Sequence, residues 1–133
     1  MKKVNVYLIL MAAITMFACN KVDYKKTPSG LLYKIFPAST KDSLIREGLV
    51  VKMEATAKIN DSVFFSSYGK APVFLKMQPL RNSYNILEVL KMMKVGDSAV
   101  IVQMADTLIN RQEQLPPTAK KGDRIVTTLR ILK

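Results

Sequence analysis

The side chains that could do chemistry are few, and what is missing narrows the field first. The 133-residue chain contains no histidine, which excludes a histidine base, a Ser-His-Asp triad and imidazole metal ligands. Cys19 is its single cysteine, so no internal disulfide can form. Asp61, Asp97, Asp106 and Asp123 each fall at a predicted turn or loop, where aspartate is common for backbone reasons. None pairs with a second acid at a spacing that would hold a metal or cleave a glycosidic bond. Hydrolase and metalloenzyme chemistry therefore find no support. A reaction carried by this chain is one that needs no proton shuttle, no metal and no cofactor.

What remains is apolar and aromatic. The stretch "KINDSVFFSS", 58–67, places Asn60-Asp61 at a tight turn and two adjacent phenylalanines, Phe64 and Phe65, on the strand that follows. Neighbouring side chains on a strand point to opposite faces. If one ring enters the core, the other must face solvent, a partner or a ligand, and the pattern alone leaves open which.

These residues need a frame, and the periodicity supplies one. In "LVVKMEATAKI", 49–59, Val51, Met53, Ala55, Ala57 and Ile59 alternate with Val50, Lys52, Glu54, Thr56 and Lys58. That is the pattern of a half-buried antiparallel strand. Further strands are predicted over 31–36, 62–65, 73–77, 98–104 and 124–132, the last with Ile125, Thr127, Leu129 and Ile131 on one face. "NSYNILEVLKMMKVGD", 82–97, changes period: Ile86, Leu90 and Met93 form an apolar stripe widened by Leu87 and Val89. The spacing predicts one helix, capped by Asn82 or Ser83 and stopped at Gly96. Residues 105–123 read as a long loop containing Pro116-Pro117. Strands, one helix and strands again make an α+β fold, with a curved antiparallel sheet wrapped around one short helix.

The N-terminus reads separately. Lys2-Lys3 precede the apolar run "VYLILMAAITMFA", 6–18, and then Cys19. The run is shorter than the ~20 apolar residues of a membrane span. It reads as an export signal over 1–18, which could be a lipoprotein signal, an ordinary secretion signal with an incidental cysteine, or a short uncleaved anchor. "MFAC" resembles a bacterial lipobox, which implies a lipid on the Cys19 thiol. A polar tether over 19–28 and a domain over 29–133 would follow. The formal charge of +11 falls to +9 when Lys2 and Lys3 leave with the signal. The remaining basic residues are scattered, whereas nucleic-acid sites concentrate them in a patch or stripe. The charge fits a solvated surface with some attraction to anionic lipid headgroups, and no nucleic acid is expected as a partner.

The order "TPSGLLYKIF", "GLVVKMEATAKINDSVFFSS", "NILEVLKMMKVGDSAVIVQM", "LPPTAKKGDRIVTTLRIL" resembles the FKBP-type peptidyl-prolyl isomerases, in particular their exported bacterial lipoprotein branch. The resemblance covers roughly residues 27–133. It implies a fold in which the sheet holds the helix, and a cleft that rotates the peptide bond before proline. That bond isomerises over tens to hundreds of seconds unaided. Its barrier is amide resonance, and a dry apolar cleft disfavours the charge-separated planar amide more than the twisted one. Each ~1.4 kcal/mol of that difference is tenfold in rate.

Position by position, the resemblance places the family's pocket tyrosine at Met53 and its pocket phenylalanine at Phe64. The acid that follows falls at Phe65, the next aromatic near Val73 and the floor tryptophan at Ile86. The flap tyrosine falls near Ile109. The ligand-binding backbone falls at Asn82-Ser83, and the last-strand aromatic near Thr127. Leu115-Pro116-Pro117 matches the family's Ile/Leu-Pro-Pro loop. The implied catalytic set is thus Met53, Phe64, Phe65, Val73, Ile86 and Ile109, with Asn82, Ser83 and Thr127 binding substrate. Such a cleft is apolar but poor in aromatics and lacks its acid. The resemblance thus implies that Phe64 faces the cleft and that Phe65 turns to the other side and packs under the loop 66–72. The implied partners are proline-containing exported polypeptides, with the membrane reached through lipid on Cys19 in a bacterial cell envelope. Two readings stay beside the isomerase: a non-catalytic binding module or chaperone on the same fold, and an envelope lipoprotein of unrelated function. Met53 and Ile86 also suit plain core positions, since such residues are usually buried.

Overall fold

The structure, a computed structural model, describes residues 22–81 and 84–132. The expected signal at 1–18, the lipid site Cys19 and the Asn82-Ser83 pair lie outside the described residues. Among those described, no helix is long and apolar enough to cross a membrane.

The longest strand, β3 (Val50–Ile59), alternates as its sequence requires, with Val51, Met53, Ala55, Ala57 and Ile59 buried. Seven strands form one sheet: β1 (Lys25–Lys26), β2 (Leu32–Phe36), β3, β4 (Ser62–Ser66), β5 (Val73–Lys76), β6 (Ser98–Met104) and β7 (Arg124–Ile131). Their order is β1-β2-β6-β7-β3-β4, and β5 also pairs with β3. Every pairing is antiparallel. β7 runs along β3 from Met53↔Ile131 to Ile59↔Ile125 and along β6 from Ser98↔Arg130 to Met104↔Arg124. Cross-strand partners share a face. The apolar faces of β3, β6 and β7 therefore merge, and α1 (Leu87–Leu90) packs on them. Val89, Leu90 and Met93 join Met53, Ile101, Leu129 and Ile131 in one buried cluster.

Three expectations are corrected. The helix expected over 82–97 is a single α-helical turn, Leu87–Leu90. Tyr84 has a left-handed φ of 73°, which a helix excludes. Asn85 Oδ1 accepts from the Leu87 amide at 3.1 Å. At the other end Asp97 accepts from the Lys94 amide at 2.9 Å and the Ala38 amide at 2.7 Å, closing a turn where the stripe would continue. Second, the loop expected over 105–123 begins with a helix, α2 (Ala105–Asn110). Ala105 and Leu108 are buried, and the Ala105 amide donates to the Asp123 carbonyl at 3.0 Å. Docking at the end of β6 holds a helix too short to stand alone. Third, the expected tether joins the sheet at its far end. β1 pairs Lys25↔Tyr33 and Lys26↔Leu32, and Thr27 is buried.

Of Asp61, Asp97, Asp106 and Asp123, the last three accept backbone amides. Besides Asp97, Asp106 accepts from the Gly122 amide at 3.0 Å and Asp123 from the Lys120 amide at 2.8 Å. Asn60, at φ 53° in the β3–β4 turn, donates to Asp123 at 3.0 Å and accepts from the Arg124 amide at 3.1 Å. The hairpin tip is thereby tied to the start of β7.

Candidate functional site

A groove of about 540 Å³ opens over one end of the sheet. β4 contributes Phe64, β6 Gln103, and β7 Ile125 and Thr127. The segment entering α1 contributes Tyr84, Asn85 and Ile86. α2 contributes Leu108, and the loop after it contributes Glu113, Gln114, Leu115, Pro116 and Pro117. The walls are therefore an aromatic ring, aliphatic side chains and a diproline run, with amides at the margins.

Phe64 reaches this groove through a bulge. The pairs Ala57↔Phe65 and Lys58↔Val63 leave Phe64 as an extra residue on β4 with no partner across from it. A bulge breaks the strict alternation of side chains and re-aims one of them. It also corrects the expectation for Phe65. Paired with buried Ala57, Phe65 belongs to the core-facing side of the sheet, where it is 45% exposed. Within the loop 66–72 itself, Ser67 is buried and its Oγ accepts from the Ala55 amide at 2.9 Å.

The remaining positions divide. Ile86, Thr127 and the Leu115-Pro116-Pro117 run line the groove with Phe64. Met53 does not line it; at 3% exposure it is a core residue. Val73 packs half-buried against the same core, and Ile109 stands exposed on α2 outside the groove.

Tyr84 was missed by sequence reasoning and is the most heavily tied residue of the site. Its ring is 4% exposed. Its hydroxyl accepts from the Met104 amide at 2.9 Å, and its carbonyl accepts from Gln103 Nε2 at 3.2 Å. Its amide donates to Glu88 Oε1, and the Arg111 guanidinium lies 5.4 Å from its ring centroid. These bonds hold a left-handed tyrosine that would otherwise cost about 1–2 kcal/mol. Glu88 Oε1 also accepts from the Asn85 amide at 3.2 Å and the Ser29 hydroxyl at 2.7 Å. Partial burial pushes the Glu88 carboxyl up, but bonds from Ser29, Tyr84, Thr27 and Asn85 together bring it below the usual glutamate range. An ionised Glu88 thus fixes the groove's lip.

Gln103 was the detectable omission. It follows Ala99 and Ile101 on the core-facing side of β6, where a polar residue must find a partner. Nothing in the run "NSYN" marks Tyr84.

The site offers no paired carboxylates and no imidazole. It can take an extended apolar segment, strip water from it and offer a few hydrogen bonds at the rim. Among the described residues, the Ile86 amide at that rim donates to no acceptor.

No family model matches the chain, and no curated protein does. A solved structure does: the crystal structure of FkpA from Escherichia coli superposes with a TM-score of 0.66 at 18% identity, over 92% of this chain. The chain spans 56% of that structure's length. At that identity the likeness shows the fold alone, an FKBP-like antiparallel sheet with short helices.

Proposed function

We propose that the chain is a peptidyl-prolyl cis-trans isomerase acting on exported polypeptides, held at a bacterial envelope membrane by lipid on Cys19. The observation that carries the reading is the groove itself: Phe64, Ile86, Leu115, Pro116 and Pro117 form an apolar stretch of one furrow on an FKBP-like sheet, with Thr127 and other polar side chains completing its lining. A prolyl amide seated there loses water. Its planar, charge-separated form loses more stabilisation than its twisted form, and the rotation barrier falls. Ile86 and Leu115 supply aliphatic walls, Phe64 the aromatic contact, and the Ile86 amide a donor for a substrate carbonyl. The reaction makes and breaks no covalent bond, which suits a site with no general base. With Phe64 as the single phenylalanine of the groove, the acceleration is modest.

A protease-coupled assay on prolyl tetrapeptides tests this. Acceleration over buffer that is lost in Phe64→Ala supports it, and no acceleration at high protein concentration overturns it. For the anchor, the expected result is a diacylglyceryl adduct on Cys19 by mass spectrometry and release of Cys19→Ala from membranes.

One observation favours a second reading. Phe64, Phe65 and Val63 are all exposed on β4, the terminal strand of the sheet. A non-catalytic module would use that apolar edge to hold unfolded chains. Slowed aggregation of a proline-free client, without isomerase activity, selects it.

A further inference from the structure

The groove is charged opposite to the body that carries it. The chain holds 21 lysines and arginines against 10 aspartates and glutamates. Yet the groove lining includes no lysine or arginine and one carboxylate, Glu113. Glu113 is held in place from below: its amide donates to the Leu108 carbonyl at 2.9 Å, just after the left-handed Gln112 at φ 57° ends α2. Its sequence neighbour Arg111 lies against the Tyr84 ring and donates to the Ser29 carbonyl at 3.4 Å. Among the described residues, Glu113 has no ion pair.

A carboxylate that makes no ion pair among the described residues, on the wall of a furrow that takes extended chain, is an acceptor for a cation on that chain. We infer that Glu113 sets substrate preference: the groove favours prolines flanked by lysine or arginine over prolines flanked by glutamate or aspartate. This rests on the reading that the groove binds prolyl segments, whether or not it turns them over. The preference is local. Away from the groove, a net positive body repels basic chains at long range, so added salt weakens that repulsion and the short-range selection by different amounts. An ion pair at an exposed wall is worth about a two- to five-fold change in affinity.

The test uses the full chain and fluorescently labelled acetyl-tetrapeptides with Lys, Gln or Glu immediately before proline, and a second set with these residues immediately after it. Binding is read by anisotropy and turnover by the coupled assay. The expected order in at least one set is Lys above Gln above Glu, by about two- to five-fold per step. Glu113→Gln flattens that order, and Glu113→Lys inverts it. The inversion cannot arise from a folding defect. Equal affinity for the three peptides in both sets, an order unchanged by Glu113→Lys, or no binding of any peptide overturns the inference. If the Lys preference stands in binding while no peptide is isomerised faster than in buffer, the enzymatic reading falls and the recognition by Glu113 survives.

Discussion

Ser29 and Glu88 stand 59 residues apart in the chain, and the Ser29 hydroxyl donates to Glu88 Oε1 at 2.7 Å. The same oxygen receives the Tyr84 and Asn85 amides. The turn before β2 and the rim of the groove are thus fastened through one carboxylate.

Acid should loosen this fastening. The Glu88 carboxyl is held below its ordinary value of 4.5 despite the opposing effect of burial. A depressed folded-state value means that the stabilisation is fully present above the unfolded value and is lost as pH falls through the folded one. Glu88→Gln should lower stability by about 1 kcal/mol at pH 7, the scale of charge-assisted bonds at a partly exposed site. The difference between wild type and Glu88→Gln in urea midpoint should shrink steadily below pH 4.5. A gap that stays constant down to pH 3 would rule out an ionised Glu88 as its source.

The joint at Gly96 should tolerate no side chain. Its φ is 90°, and a Cβ there would meet the Ala38 Cβ at 3.1 Å and the Thr40 Cγ2 at 3.4 Å. Its amide also donates to the Ile131 carbonyl at 3.0 Å. Gly96→Ala should cost about 1–3 kcal/mol through left-handed strain and crowding together. Thermal melts of the variant read this directly. Gly48→Ala, with φ 86° but open space around its Cβ position, should cost less and separates crowding from strain.

Phe64 and Phe65 should separate function from fold. They are adjacent and similarly exposed, at 42% and 45%, but only Phe64 lines the groove. Phe64→Ala should reduce kcat/KM for prolyl tetrapeptides about tenfold, which is ~1.4 kcal/mol of lost transition-state contact. Phe65→Ala should change it less than threefold, less than the ~0.7 kcal/mol such a ratio represents. Equal losses in the two variants would mean that the bulge does not direct recognition.

The sequence was most legible where one periodicity ran long. The alternation from Val51 to Ile59 and the face shared by Ile125, Leu129 and Ile131 follow from a sheet buried on one side, and the pairing of β3 with β7 aligns them. It failed where tertiary bonds override local pattern. The apolar stripe from Ile86 to Met93 continues in sequence, but the left-handed Tyr84 and the Asp97 turn cut its helix to four residues. The α2 segment "ADTLIN" has weak helix propensity and forms by docking. In the groove, Thr127 stands on the face of β7 that its alternation with Ile125 and Leu129 predicted, whereas Met53 and Val73, also on strands, do not line it. The bulge that gives Phe64 its direction depends on Lys58 pairing with Val63, which no one-strand pattern encodes. Gln103 could have been read from its place on the apolar face of β6. Tyr84 could not.

Met53 and Ile86 were two candidate pocket residues, and the structure assigns them opposite roles that mutation can expose. Met53 is 3% exposed within the central cluster, whereas Ile86 is half-buried at the groove rim beside α1. Truncating a buried methionine removes its transfer free energy and leaves a cavity, at a cost of about 2–5 kcal/mol. Truncating a rim isoleucine with its far side already in water should cost about 1 kcal/mol. Met53→Ala should therefore lower the urea midpoint sharply while leaving kcat/KM of the folded fraction nearly unchanged. Ile86→Ala should do the reverse, leaving the midpoint close to wild type and cutting kcat/KM severalfold. Chemical denaturation and the coupled assay on the same two proteins give both axes. If Met53→Ala abolished turnover at a denaturant-free temperature where circular dichroism shows it folded, the groove would extend deeper beneath α1 than its lining residues indicate.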